Sequence, residues 1–217
     1  MKIEYFGHSC FRLTNADGIS VVTDPYTKVG YELPNNFTAD VIIVSHNHFD
    51  HNYIAGVKDA KTIVNSTGNS LAQGISIVGK ETWHDPKQGA LRGNNIIYTI
   101  EIDGLKICHF GDLGEGYSDK IAKIVKDADV WLIPVGGTYT IDAMQAKEYV
   151  EILQPKCVIP MHYLPKDGRL DIQDAKSFLS LFENAEIFCY LQGETELNKA
   201  QLQEGSTKIL YMERKRV

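Results

Sequence analysis

Residues 45–52 read Ser45-His46-Asn47-His48-Phe49-Asp50-His51-Asn52, which places three histidines and one aspartate within six residues. Imidazole and carboxylate together form a borderline-to-hard donor set, suited to zinc, manganese or iron. A single histidine is more often structural than a ligand. Titratable groups crowded as H-x-H-x-D-H gain nothing from their proximity unless a cation sits among them, so the spacing reads as metal binding. Cysteine takes no part: Cys10, Cys108, Cys157 and Cys189 lie far apart without C-x-x-C spacing and read as buried thiols rather than disulfides or ligands.

The elements that must position these groups follow from the pattern. Val41-Ile42-Ile43-Val44 is a short β-branched run, hence a buried strand, and the histidines lie on the loop leaving its C-terminal end. His84, in Trp83-His84-Asp85, follows a strand predicted over 75–78. Asp103-Gly104 joins 96–102 to 105–110 as a hairpin whose second arm delivers Gly111-Asp112, with Gly111 permitting a sharp turn. His109, inside that arm, reads as packing. A strand over 157–159 ends in Pro160-Met161-His162. Near the N-terminus, 2–6, 10–14 and 19–23 read as strands, leaving His8 and Asp24 at strand ends. Asp24 either accepts the second ring N–H of a metal-binding histidine or caps the turn at Pro25.

Loop 26–38 carries Tyr26, Tyr31, Leu33 and Phe37, which wall a pocket or fold over the core. Arg92, the cation of loop 85–95 weighed for substrate, clamps a substrate anion or pairs with a carboxylate. Tyr139 and Thr140 lie on the loop after the buried strand 130–133. Helices are predicted over 67–73 (closed by Gly74), 118–126 (capped by Ser118), 142–153 (capped by Asp142 or Thr140) and 171–182, with late strands over 187–191 and 208–211. Strands come first and then alternate with helices, which by pattern alone means mixed α and β.

His46-Asn47-His48-Phe49-Asp50-His51 resembles the H-x-H-x-D-H signature of metallo-β-lactamase fold hydrolases, and His84, Asp112 and His162 occur in that family's order. The similarity runs from about Gly7 to His162. Thr23-Asp24-Pro25, Gly111-Asp112 and Pro160-Met161-His162-Tyr163 look like the branch containing L-ascorbate-6-phosphate lactonase. The resemblance implies an α+β fold, a four-layer αββα sandwich, spanning residues 1–217 as one domain. Carried over residue by residue, it has His46, His48 and His84 hold one divalent ion, Asp50, His51 and His162 a second, and Asp112 bridge. Zinc is the first expectation, manganese or iron the alternatives. Asp50 and Asp112 are the expected catalytic carboxylates, His8 and Asp24 supporting groups behind the ligands, and Arg92, Tyr139 and Thr140 the expected substrate contacts.

Such a site activates a shared water as hydroxide to attack a carbonyl or phosphorus. Two divalent ions, two aspartates and one hydroxide leave about +1, which favours a small anionic ester, lactone or phosphodiester. The alternatives are a nuclease of the same fold acting on RNA and a di-iron redox protein. With 22 basic against 28 acidic residues and a net charge of −6, a long basic track for nucleic acid is not expected. No apolar run reaches membrane-spanning length and no leader pattern opens the sequence, so a cytoplasmic enzyme is expected, homo-oligomerisation being left open.

Overall fold

The computed structural model describes residues 1–182, 186–202, 205 and 207–216. The first half is a run of strands: β1 (Lys2–Gly7), β2 (Cys10–Thr14), β3 (Ser20–Thr23), β4 (Val41–Ile43), β5 (Thr62–Val64), β6 (Gly68–Ala72), β7 (Ile75–Trp83), β8 (Asn94–Ile102) and β9 (Leu105–His109). The second half brings in helices: α1 (Asp119–Val125), β10 (Val130–Pro134), α2 (Ala143–Leu153), β11 (Cys157–Met161), α3 (Lys176–Leu179), β12 (Glu186–Tyr190), β13 (Glu194–Glu196) and β14 (Lys208–Met212). They form two mixed sheets. One is six-stranded in the order β13-β1-β2-β3-β4-β5; the other is eight-stranded in the order β12-β14-β11-β10-β9-β8-β7-β6.

Alternation along the early strands divides their side chains between two cores. Ile3, Tyr5, Phe11, Leu13, Val21, Val41 and Ile43 pack with residues of the second sheet. The interleaved Phe6, Cys10, Val22 and Ile42 face the other way. Strands β10 and β11 are buried throughout because helices cover their far side. Trp131 Nε1 of β10 donates to the Val125 carbonyl at the end of α1 (3.1 Å), and Tyr149 of α2 packs its ring against Phe110. These are the two sheets and a helical layer of the expected sandwich. The layer over the six-stranded sheet is instead loop and a 3-10 turn, Ile54–Gly56. The aromatic loop 26–38 is that cover: Tyr26 and Phe37 are buried, Tyr26 donates to the Phe6 carbonyl (2.6 Å), and Phe37 stacks on Phe6. Those two rings therefore hold the sheet and do not wall a pocket.

Three expectations are corrected. Residues 67–73 are not a helix; β6 pairs with β7 antiparallel, and Gln73 and Gly74 turn with φ of 50° and 81°, the left-handed pair that a two-residue hairpin demands. Gly74 thus closes a hairpin and not a helix. The helix expected over 171–182 is reduced to Lys176–Leu179, because the Gln173 amide donates to the Gly136 carbonyl (2.8 Å) and its carbonyl accepts from Leu164 (2.9 Å). Cys189, expected to be buried, is exposed on β12, while the other three cysteines are buried as free thiols. The cap of α2 is Asp142, in a reciprocal box with Gln145. Among the described residues no helix is long and apolar enough to cross a membrane.

Glu4, on the layer-facing side of β1, fastens the sheet edge to the C-terminal segment. It accepts from Arg12 Nε (2.7 Å) and Lys215 Nζ (2.5 Å). Burial alone would raise its carboxyl, but the hydrogen bonds from Arg12 and Lys215 prevail and hold it at about 2 against an ordinary 4.5. The unfolded chain therefore binds this proton more readily, so the stabilisation is present above pH 4.5 and is lost as pH falls through about 2. Glu4→Gln should lower stability at neutral pH by about 1–2 kcal/mol and flatten the acid limb between those values. Denaturant unfolding at pH 7, 4 and 3 measures this; parallel curves for the two proteins would assign Glu4 no such part.

Candidate metal centre

Every group singled out by the H-x-H-x-D-H signature sits just past the C-terminal end of a strand. His8 follows β1, Asp24 follows β3, His46 to His51 follow β4, His84 follows β7, Asp112 follows β9 and His162 follows β11. The two sheets thus present their chemistry at one rim. The approach is strained: His8, Asp24 and His162 hold φ of 54°, 38° and 51°, a left-handed conformation that costs a residue with a Cβ about 1 kcal/mol or more. Glycine is obligatory at position 111, where φ is 56° and a Cβ would lie 2.2 Å from Asn95 Oδ1. Asn95 fixes the next residue, its Oδ1 accepting from the Asp112 amide (2.9 Å) while its amide donates to Thr82 Oγ1 and the Phe110 carbonyl. His109 does more than pack. Its Nδ1 accepts from the Gly111 amide (3.2 Å) and its Nε2–H donates to the Ser9 carbonyl (3.0 Å), tying the Asp112 turn to the His8 turn across the two sheets. The His162 amide donates to the His8 carbonyl (2.8 Å), a second tie between sheets.

The side chains gather in two main groups, His46–His48–His84 and His8–Asp50–His51–His162, and Asp24–His46–His51 is a further close set that shares one histidine with each. Asp112 lies between them. Its Oδ2 is 3.1 Å from His51 Nε2, 3.2 Å from His162 Nε2, 3.4 Å from His84 Nε2 and 4.0 Å from His46 Nε2. Yet His46 Nε2, His162 Nε2 and Asp112 Oδ1 are buried without any hydrogen-bond partner among the described residues. Orphaned polar atoms this close together are unfavourable unless cations are shared among them. The donor set therefore fits metal binding, with no sulfur ligand.

A family profile described as a beta-lactamase superfamily domain matches residues 2–162. The chain belongs to the metallo-β-lactamase superfamily. A UPF0173 metal-dependent hydrolase of Pyrococcus furiosus is 30% identical, the match covering 75% of this chain and 84% of that one. The crystal structure of a candidate Zn-dependent hydrolase of this superfamily from Thermotoga maritima shares 34% identity with a TM-score of 0.75, covering 97% of this chain and 98% of that one. A metallo-hydrolase from the archaeon Ignicoccus hospitalis shares 25% identity with a TM-score of 0.65 over 99% and 96% of the two chains. Within the superfamily the chain is a metal-dependent hydrolase of the UPF0173 family.

In this hydrolase Asp24 governs which histidine nitrogens are free. Fully buried, it accepts from the Ser45 amide (2.7 Å), from Ser45 Oγ (2.6 Å) and from His51 Nδ1 (2.8 Å). His51 must carry a proton on Nδ1 to make that bond, so Nε2 is the ring nitrogen left to face Asp112 and any ion bound there. Ser45 Oγ, having donated to Asp24, accepts from His46 Nδ1 (2.9 Å), and the His46 lone pair is likewise left on Nε2. No part in the centre was expected of Ser45; its place next to the first histidine is the signal for one. Burial puts His46 well below the ordinary histidine range and lowers His84 as well, which favours neutral rings able to donate lone pairs. Burial pushes His51 the same way, but Asp112 and Asp24 on either side prevail and raise it.

The expected substrate contacts are not drawn into the cluster. Among the described residues Arg92 pairs with no carboxylate; its Nη2 donates to the Thr138 carbonyl (3.0 Å) and its guanidinium lies over the Tyr139 ring at 5.7 Å. Thr140 Oγ1 donates to the neighbouring Ile141 carbonyl. Arg92 is presented by a loop wound about Asp85, whose carboxylate accepts from the amides of Lys87, Gly89, Leu91 and Arg92. Sequence reading passed over Asp85. Its signal is an aspartate followed by Pro86 and two glycines, the composition of a loop folded on a carboxylate. Asp24→Asn removes the acceptor charge behind His51 and disturbs the Ser45–His46 link, so divalent-ion affinity should fall about 10–100-fold. Calorimetric zinc titration of the folded variant tests this; wild-type affinity would remove Asp24 from the centre.

Proposed function

We propose that this hydrolase works with two divalent ions, zinc first among them, on a small anionic ester, lactone or phosphodiester. The observation that carries this reading is the place of Asp112 Oδ2, which lies within 3.1–4.0 Å of histidine nitrogens belonging to both groups. His46, His48 and His84 would hold one ion, Asp50, His51 and His162 the other, and Asp112 would reach both. Bound there, such ions supply Lewis acidity and bring the pKa of a coordinated water to about 7.

The chain's own part is to hold and orient. Asp112 is kept ionised against its burial by His162 and His51. Asp50 is kept ionised, again against burial, by its hydrogen bond from His8 and by His51. A carboxylate held so low is a poor base at neutral pH, so Asp50 acts by charge and position. Ser45 does not serve as a nucleophile, since its hydroxyl is committed to Asp24. Two divalent ions set against Asp24, Asp50 and Asp112 leave about +1 while the coordinated water is neutral, which draws an anionic group inward. The wording Thr23-Asp24-Pro25 and Pro160-Met161-His162-Tyr163 supports a phosphorylated or carboxylated ester or lactone in particular.

With metal-loaded protein, Asp112→Asn should abolish most turnover, by about 100-fold or more, while the fold persists. Hydrolysis of bis-p-nitrophenyl phosphate and of sugar lactone phosphates, run beside single-stranded and structured RNA at physiological salt, tests the substrate class. RNA cleavage with negligible turnover of the small esters would overturn it. Arg92→Ala, which frees Thr138 and Tyr139, should raise KM more than it lowers kcat if the guanidinium binds ground and transition states alike.

A further inference from the structure

His8 was expected to stand behind the ligands. Its ring nitrogen lies close to two of the expected ligands. Nε2 is 3.1 Å from His51 Nε2 and 3.2 Å from Asp50 Oδ2, and the imidazole ring is 4.2 Å, centre to centre, from that of His162. His51 Nδ1 donates to Asp24, so the ring atom that His51 turns toward His8 is Nε2, and Asp50 turns a carboxylate oxygen to the same point. A cation among the three atoms, with both Nε2 atoms free of protons, would be held by all of them. Metal–nitrogen bonds of about 2.0–2.1 Å put neighbouring donor atoms roughly 3.0–3.4 Å apart; His8 Nε2 meets both partners at that separation, while His51 Nε2 and Asp50 Oδ2 stand 3.8 Å from each other. The chain also holds His8 in place against strain. Its φ is 54°, and its carbonyl is pinned by the Tyr5 hydroxyl (3.0 Å) and the His162 amide (2.8 Å). Its Nδ1 has no partner among the described residues, but neither has that of His84 or His162, so this atom does not set His8 apart from the other two.

From this geometry we infer that His8 is a protein ligand of the second ion, alongside Asp50, His51 and His162. The inference rests on the two-ion reading above. It gives the two positions different characters: three histidines at one, a more crowded mixed set at the other.

Ring-nitrogen NMR of full-length protein with ¹⁵N-labelled histidine, titrated with Zn²⁺, tests it without any mutation. On the second equivalent, His8 Nε2 should carry no proton and shift to a metal-bound position. Nε2–H persisting on His8 with two ions bound would overturn the inference and leave His8 a hydrogen-bonding support of Asp50. In His8→Ala, the second Zn²⁺ should weaken by more than about 100-fold, beyond the loss expected from removing a supporting partner, while the first is unchanged. Equal binding of both ions by that variant would likewise overturn it, with the hydrolase reading intact. A wild-type chain that binds no second ion would sink the two-ion reading itself. Should the variant fail to fold, the wild-type spectrum decides.

Discussion

One buried carboxylate oxygen, Asp112 Oδ2, stands within 3.1–4.0 Å of four imidazole Nε2 atoms contributed by three different loops. Without a cation, polar atoms brought this close at buried positions are left in part without hydrogen-bond partners among the described residues. The rest of the centre serves to keep these atoms from turning away. Asp24 and Ser45 fix the faces of His51 and His46, Asn95 fixes the Asp112 amide, and Gly111 leaves room where a Cβ would collide. Polar groups bonded in this way have few alternative rotamers, and a site held this firmly is pre-organised for ions before they arrive.

The fold meets that demand by closing two sheets at one rim. The His109 bond to Ser9 and the His162 bond to His8 span residues from opposite halves of the chain. Each also touches a turn whose backbone is strained, so the packing of the sheets over-determines conformations that the local sequence would refuse. The shared apolar core beneath, from Ile3 and Tyr5 through Ile107 and Leu132, is what makes this affordable. Catalysis by water at such a centre requires nothing further of serine or cysteine, and none of the buried thiols reaches the cluster.

Much of this was legible in the sequence. Dense H-x-H-x-D-H spacing after Val41–Val44 and the Asp103-Gly104 hairpin turn have local causes, so residues 41–51 and 94–112 could be read correctly in outline. The helix expected over 67–73 failed because its apolar spacing is equally that of an exposed edge strand, and Gln73-Gly74 closes a hairpin only when β7 is there to pair with. The helix over 171–182 failed because Gln173 spends its backbone bonds on Gly136 and Leu164, partners remote in sequence. Within the centre, the roles missed are those carried by hydrogen bonds between separate strands: Ser45 to Asp24 within the six-stranded sheet, and His109 to Ser9 between the two sheets. Which partner such a residue takes is set only when the fold brings the strands together. Asp85 is the exception, since its loop is wound locally and its turn composition was there to be read.

The central claim is that Asp112 lies between two cation positions, and anomalous diffraction from crystals of the full chain grown with excess zinc measures this most directly. Two peaks per chain about 3.5–4 Å apart, one beside His46, His48 and His84 and one beside Asp50, His51 and His162, with Asp112 touching both, is the result predicted. A single peak at saturating zinc, leaving either group of side chains without metal, would contradict it.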